Sequence, residues 1–205
     1  MYIKKILWAI ALIGLVIFGV IAFYIYGAMF QPNTKFEDEV AYIKIPSDAN
    51  YLQVWQQLEP LLEDMDTFDA LAQQKKYVSN IKAGRFAISK GMNNNEIINS
   101  IRSKNTPIKI AFNNQHSLEA LAGRIGSQIE ADSVALITAM TDTTFLEENG
   151  FSKATALGMY LPNSYEFFWN TSAEGFRDKM LKEYNRFWND SRQAKAKALI
   201  FHKMR

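Results

Sequence analysis

The 205-residue sequence contains no cysteine and only two histidines, His116 and His202. Without cysteine the chain can form neither a disulfide nor a thiolate metal site, a composition that suits an exported domain which does not rely on disulfides. His116 directly precedes a helix cap at Ser117, and we expect it to be a solvent-facing loop residue rather than a catalytic base. No glycine-rich phosphate-binding loop is present, so a nucleotide site is unsupported. We therefore predict no metal and no cofactor.

An excess of charge of one sign is also lacking. The 23 lysines and arginines are mixed along the chain with 21 aspartates and glutamates, which leaves a net charge of +2. The absence of a basic block argues against nucleic acid as a partner. Internal repeats and low-complexity tracts are absent as well, and an aromatic content of 13% is typical of a folded domain rather than a disordered stalk.

Charged side chains are missing altogether from residues 6–30. At a rise of about 1.5 Å per residue, this run can span a hydrocarbon core about 30 Å thick. A cleaved signal peptide is the alternative, but its apolar region should be only about 7–15 residues long and end in small residues. The run ends instead in "YIYGAMFQPN", so we predict an uncleaved anchor that contacts the lipid bilayer through residues 6–30. Lys4 and Lys5 should stay in the cytoplasm, which puts everything after Gln31 outside.

Beyond the tail and anchor at residues 1–30, the sequence mixes strand-like alternation with helical spacing, which predicts an α+β fold. Residues 31–40 are polar, contain a proline and are expected to form a linker. Residues 41–105 are predicted to be one compact α+β module. Its expected elements are a strand ending at Pro46, a helix capped by Ser47 or Asp48, a further helix from Pro60, a strand around "GRFAI", and a helix after a turn at Lys90-Gly91.

Residues 106–205 are predicted to continue the same mixed pattern. A strand at "PIKIAFNN" precedes a helix capped by Ser117, and two short helices follow, with Gly150 as their stop. A strand or hairpin is expected next. Thr171 and Glu174 have the spacing of a capping box for the following helix, and another helix is expected to begin at Asp190.

The stretch "ALGMYLPNSYEFFWNTSAEGF", residues 156–176, places many aromatic rings around one Pro-Asn-Ser turn. Aromatic rings and carboxyl groups are the materials of sugar-processing sites, because rings stack on pyranoses and a carboxylic acid can protonate a glycosidic oxygen. Glu166 is the one acid among these rings. If the segment is a strand, however, alternation puts Glu166 on the opposite face from Tyr165 and Phe167, which favours a solvated residue over a catalytic acid.

Two motifs behind the apolar run carry a resemblance to a known family. The first lies within "IKAGRFAISKGMNNNEIINSIRSKN" and fits the pattern G-x-Y-x-(hydrophobic)-x-x-G-M-(polar)-x-x-E-I, with phenylalanine in place of tyrosine. Its matching positions are Gly84, Phe86, Gly91, Met92, Glu96 and Ile97.

The second motif, "LGMYLPNSYEF", is similar to E-G-Y-L-F-P-D-T-Y. It keeps Gly158, Pro162 and Tyr165 in place, and the pair Tyr160 and Leu161 stands one position later than the Y-L of the pattern. Leu157 replaces the glutamate, and Asn163-Ser164 stands for Asp-Thr. In this order behind an anchor, the two motifs resemble the MltG/YceG-like endolytic murein transglycosylases, and the resemblance covers residues 1–199.

The resemblance implies a fold and a function. Residues 41–105 would be a LysM-like module, and residues 106–205 the N-terminal part of the catalytic domain. Tyr160, Asn163 and Tyr165 become candidates for packing or lining a glycan-binding cleft. The protein would sit in the bacterial inner membrane as a single-pass protein, with its ectodomain in the periplasm, where its partners would be peptidoglycan glycan strands and the cell-wall synthesis machinery.

The implied reaction is that of a lyase. One acid protonates the glycosidic oxygen between MurNAc and GlcNAc and then, as a base, takes the proton of the MurNAc C6 hydroxyl, leaving a 1,6-anhydro end. The family's catalytic glutamate is expected in a run such as "LASIVxKET", after a "G-L-T" that would follow "AKAKAL". This sequence reads "ALIFHKMR" there, and no residue matches that glutamate.

We therefore expect a truncated or frame-shifted product, out of frame from Ile200, that does not cleave murein. Two other interpretations stay open. One is a non-catalytic, membrane-anchored LysM-like peptidoglycan-binding protein, and the other is a membrane-linked scaffold. The sequence leaves open the preferred glycan length and the oligomeric state.

Overall fold

The computed structural model describes residues 2–203, apart from the side chains at position 28 and from position 199 onward. The segment expected to be out of frame from Ile200 lies outside these described side chains. Two compact units divide between Thr106 and Pro107. The helices are α1 Tyr2–Phe30, α2 Tyr51–Leu58, α3 Met65–Gln74, α4 Asn94–Ser103, α5 Leu118–Gly126, α6 Ser133–Met140, α7 Thr143–Glu148, α8 Ala173–Phe187 and α9 Asp190–Lys203. The strands are β1 Val40–Ile45, β2 Gly84–Ser89, β3 Ile108–Phe112 and β4 Asn163–Phe167, and a 3₁₀ turn lies at Ala156–Met159.

The first unit is built on a two-stranded antiparallel sheet, in which β1 pairs with β2 from Val40↔Ser89 to Ile45↔Gly84. Helices α2 and α3 connect the two strands, and α4 follows β2. Alternate strand residues point into the core, where Ile45 and Ile88 are fully buried. The α+β character predicted for this part of the chain is therefore confirmed.

Asparagine side chains set the helix starts in this unit. Asn50 forms a capping box with Gln53 at the start of α2, and Asn93 forms one with Glu96 at the start of α4. The prediction of Ser47 or Asp48 as the cap of α2 is therefore wrong. The next helix does not begin at Pro60 either, because the Asp64 side chain accepts a hydrogen bond from Thr67 N and starts α3 at Met65.

Helix α1 is long and apolar enough to cross a membrane, and its side chains are exposed from Tyr2 to Tyr26. By length and composition alone, a signal sequence near the N-terminus would give the same result. At its C-terminal end α1 lies against α3 and α4, and Met29 packs against the core of the first unit.

The segment that follows α1, expected to be a linker, is hydrogen-bonded to the first unit. Asn33 is 4% exposed; its side-chain nitrogen donates to the carbonyl oxygen of Asp64 at 2.7 Å and to Asn94 Oδ1 at 2.6 Å, while its Oδ1 accepts from Asp64 N at 2.7 Å. Thr34 Oγ1 accepts from Gly91 N, and Phe36 packs against the core. Residues 33–36 are thus fixed to the unit, because the Asn33 side chain hydrogen-bonds both the backbone N–H and the backbone carbonyl of Asp64.

The second unit is built on another antiparallel pair, β3 with β4, from Ile108↔Phe167 to Phe112↔Asn163. Its core combines the inward faces of these strands with apolar residues of α5, α6 and α8. Ser172, rather than Thr171 with Glu174, caps α8 by accepting from Gly175 N. Thr171 instead bonds back to the Phe168 carbonyl oxygen, which makes it unavailable as the cap.

Candidate functional site

A groove in the second unit runs over the turn at Leu161–Asn163. It consists of two adjoining cavities of about 280 Å³ and 340 Å³, which share Leu161 and Pro162. We call the parts on either side of Pro162 the first and the second arm. Phe112, residues 113–115, Leu121, residues 157–158 and Tyr160 line the first arm. Asn163, Tyr165, Glu183, Arg186, Phe187 and Arg192 line the second arm.

Tyr165 holds the turn that separates the two arms. Its hydroxyl donates to the carbonyl oxygen of Leu161 at 2.7 Å. Its ring packs at 5.7 Å from the Phe112 ring, and only 9% of the residue is exposed. Tyr165 therefore shapes the groove wall through its hydroxyl and ring edge.

Tyr160 is more deeply buried still. Its ring stacks on Phe176 with the centroids 6.0 Å apart and the planes 6° from parallel. Its hydroxyl has no hydrogen-bond partner within the described part of the chain, and burial raises the pKa of Tyr160 well above its usual value. Because that hydroxyl is enclosed by protein, Tyr160 contributes to the first arm only with part of its ring.

Asn163 is the exposed member of the three predicted binding residues. Its Oδ1 accepts a hydrogen bond from Ser164 N at 2.8 Å, so its side-chain amide nitrogen is the group left to donate to a ligand. The structure thus brings Tyr160, Asn163 and Tyr165 to one groove, with two of them packed into its wall and one at its surface.

The loop of residues 113–115 was not singled out from the sequence, yet it lines the first arm. Gln115 Nε2 donates to both the carbonyl and the side-chain oxygen of Asn113, at 3.2 and 2.8 Å. Amide-rich loops are a common lining for sugar hydroxyls because an amide both donates and accepts. The run "NNQ" directly after a strand was the available signal.

Glu166 lies on the face of β4 away from the rings, as alternation predicts: Tyr165 and Phe167 are buried and Glu166 is exposed. Lys109 stands opposite it on β3, and Lys179 donates to its carbonyl oxygen. Among the residues that line the groove, the one carboxyl is that of Glu183, in the second arm. It forms an ion pair with Arg186.

Metal-binding chemistry finds no support in the described residues, among which no cluster of three histidine, cysteine or acidic side chains could hold an ion. His116 is exposed and lies before Ser117, which caps α5 by accepting from Ala120 N. The arrangement can therefore bind a polar ligand along an apolar floor. The groups that it offers to such a ligand are side-chain amides and two arginines.

Comparison with known proteins identifies the family to which this chain belongs. The model of the YceG-like family matches residues 43–204. A crystal structure described as a YceG-like protein from Listeria monocytogenes is 21% identical, with a TM-score of 0.41; the match covers 79% of this chain and 60% of that one. This chain therefore spans about 60% of the length of that neighbour. No curated protein matches. Since the family model covers well over half of the sequence, the protein belongs to the YceG-like family.

Proposed function

We propose that the protein is a membrane-anchored, peptidoglycan-binding member of the murein lytic transglycosylases. The observation that carries this proposal is the position of the groove. Its turn, Leu161–Asn163, lies inside the segment that resembles the family's second motif, and the family match extends over both sides of it. A groove with an apolar floor and amide walls suits a chain of N-acetylated sugars.

Helix α1 supplies the anchor in this proposal. Lys4 and Lys5 keep the N-terminus in the cytoplasm, and both units lie on the outer face of the bacterial inner membrane. The order strand–helix–helix–strand in the first unit, with its strands antiparallel, supports the LysM-like interpretation of that unit as a second glycan-contacting surface.

The chemistry proposed for the complete site is formation of a 1,6-anhydro sugar by one carboxyl group, first as acid and then as base. Among the described residues, Glu166 faces away from the groove and Glu183 is engaged by Arg186. Neither is placed to protonate a glycosidic oxygen, so residues 2–203 supply the binding half of the site. A non-catalytic glycan-binding protein is the second candidate, and the same observation favours it.

The test uses the full chain in detergent with purified sacculi. We expect the chain to sediment with sacculi and release no 1,6-anhydro-MurNAc ends. The variants Gln115→Ala and Asn163→Ala should reduce sedimentation, while Asn149→Ala, an exposed asparagine bonded to Phe145 on α7, should not.

The outcomes separate the proposals. Sedimentation that ignores the groove substitutions would overturn the assignment of the groove to glycan. Anhydro ends that disappear in Glu166→Gln or Glu183→Gln would show that a described carboxyl is catalytic. The genomic sequence past codon 199, read in all frames, separates enzyme from binder: a continuation with "GLT" and "SIV…ET" supports the enzyme, and its absence supports the binder.

A further inference from the structure

The two arms of the groove differ in charge. None of the residues that line the first arm is charged. The polar side chains there are amides, together with the enclosed hydroxyl of Tyr160. Three of the lining residues of the second arm are charged, namely Glu183, Arg186 and Arg192. A ligand that lies across Pro162 therefore meets a neutral surface on one side and an ionic one on the other.

The ionic side carries one positive charge in excess. Arg186 and Glu183 form an ion pair one helical turn apart on α8, with the Glu183 side chain only 15% exposed. Arg192, on α9, is exposed and has no carboxylate partner among the described residues. The pair is neutral as a unit, so Arg192 sets the sign of the second arm.

Arg192 is held in place without a counter-ion. Its guanidinium carbon lies 4.2 Å from the centre of the Phe187 ring, and its Nη1 donates to the Phe187 carbonyl oxygen at 2.8 Å. A guanidinium has five N–H donors, so several remain for a ligand. Stacking on a ring also fixes the plane of the group, which favours two-pronged contact with a carboxylate.

Asn163 is a second donor in this arm. Its oxygen is bonded to Ser164 N, which leaves its amide hydrogens for a ligand, whereas Tyr165 has its hydroxyl hydrogen committed to Leu161 and does not donate. The acceptor with negative charge in this arm, the Glu183 carboxylate, is already paired with Arg186. The arm therefore offers donors and positive charge, a set that fits an anionic acceptor.

We propose that the second arm binds a carboxylate carried by the glycan strand, with Arg192 as its principal partner and Asn163 as a second donor. This inference rests on the proposed function and adds to it that the groove distinguishes carboxylated sugars from neutral ones. The carboxylate has two sources in peptidoglycan, the lactyl group of a muramic acid that carries no peptide and, where a peptide is attached by an amide bond to that group, the peptide itself.

The experiment measures binding of the full chain in detergent to three soluble probes of equal sugar number. They are uncross-linked peptidoglycan strands with their peptides, the same strands stripped by an amidase so that only lactyl carboxylates remain, and chitooligosaccharides, which have no carboxylate. We expect chitooligosaccharides to bind at least about tenfold more weakly than the carboxylated probe that the second arm recognises. A tenfold difference in dissociation constant is the effect expected from one hydrogen bond to a charged group.

Arg192→Gln should remove this preference, and an unchanged urea unfolding midpoint of the variant shows that the groove is still folded. Arg192→Lys should restore part of it, since lysine keeps the charge without the planar fork. Lys195→Gln is the matched control, because it removes the same charge from α9 outside the lining of the groove. Loss confined to the amidase-treated strands assigns the freed lactyl carboxylate, and loss confined to the peptide-bearing strands, in which the lactyl carboxyl is an amide, assigns the peptide. Equal loss on both shows that the arm accepts either carboxylate.

Three results would overturn the inference. Equal affinity for all three probes would mean that the groove binds glycan without an anion site, which leaves the proposed function intact. A preference that survives Arg192→Gln, or that falls equally in Lys195→Gln, would mean that general charge attraction causes it. Absence of binding to every probe would remove the proposed function together with the inference.

Discussion

The hydroxyl of Tyr165 donates a hydrogen bond of 2.7 Å to the carbonyl oxygen of Leu161, four residues earlier in the chain. Strand β4 thereby fixes the turn from which it emerges. Tyr160 lies one residue before Leu161 and is even less exposed, yet its hydroxyl bonds to nothing among the described residues. Two buried tyrosines on either side of one turn thus differ in whether the hydroxyl contributes to the fold.

This difference predicts opposite results for two matched substitutions. Tyr165→Phe should lower the free energy of local unfolding around the turn by about 0.5–1.5 kcal/mol, the net value of one hydrogen bond. Tyr160→Phe should leave it unchanged or raise it, because it removes a buried hydroxyl without a partner. Hydrogen exchange of peptides that cover β4 measures the effect, and equal destabilisation by both variants would contradict the assignment.

Asn33→Ala should destabilise the first unit by about 2 kcal/mol or more. The substitution removes the hydrogen bonds that Asn33 donates to Asn94 Oδ1 and to the Asp64 carbonyl oxygen, and the one that it accepts from Asp64 N. Loss of a partner costs a buried polar group about 1–3 kcal/mol. Faster hydrogen exchange in α3 and α4 is the expected readout.

The control for this substitution is Asn80→Ala, an exposed asparagine in the same unit. It should change exchange little. Similar protection in Asn33→Ala and in the unaltered chain would mean that the segment after α1 is not fixed to the unit.

Alkaline pH should lower the free energy of unfolding of both units for the same reason. Burial raises the pKa of Tyr77 and of Tyr160 above the value of about 10 that an unfolded tyrosine has. Below pH 10 both states carry the neutral phenol, so stability is fully present there. Above it only the unfolded state ionises, and the free energy of unfolding should fall by up to about 1.4 kcal/mol per pH unit for each group until the folded pKa is reached.

Urea unfolding at pH 8, 10 and 11 measures this dependence. Tyr77→Phe should reduce the slope of the first unit and Tyr160→Phe that of the second, each without effect on the other unit. Part of each slope should remain, because burial also raises the pKa of Tyr51 and of Tyr165. A slope that neither substitution changes would assign the alkaline sensitivity to other groups.

The membrane topology that we propose predicts a protease result. In spheroplasts, an added protease should digest the two units from outside, and in inside-out vesicles the same units should be protected. The uncleaved chain should remain in the membrane fraction after alkaline carbonate extraction. A soluble mature form that begins near residue 31 would instead identify α1 as a cleaved signal sequence.

The sequence was most informative where one periodicity determines the result. Alternation predicted that Glu166 lies on the other face of the strand from Tyr165. Glu166 is exposed in the structure, because only one face of β4 is buried. Gly91 and Gly150 were predicted at a turn and at a helix stop, and both adopt positive φ, +82° and +77°, which other residues rarely do. Such signals are local and depend on few neighbours.

Helix starts and the groove were harder to derive. Ser47 and Asp48 have suitable side chains, but the backbone reaches the capping conformation only at Asn50, and the spacing of Asn50 to Gln53 was the signal that could have placed the helix start there. The groove joins a loop at residues 113–115 to a turn almost fifty residues later and to arginines on two further helices. Its composition is a property of the tertiary fold, so sequence motifs identified only the turn.

The bonds of Asn33 have a consequence for how the first unit moves. A free ten-residue tether of polar residues would let its two ends separate by about 17 Å on average and rotate independently. Residues 33–36 are instead fixed to the unit, and Met29 packs against its core. The unit therefore cannot separate from α1 or rotate independently of it. When α1 tilts or rotates about its own axis, the first unit therefore moves with it as one rigid body.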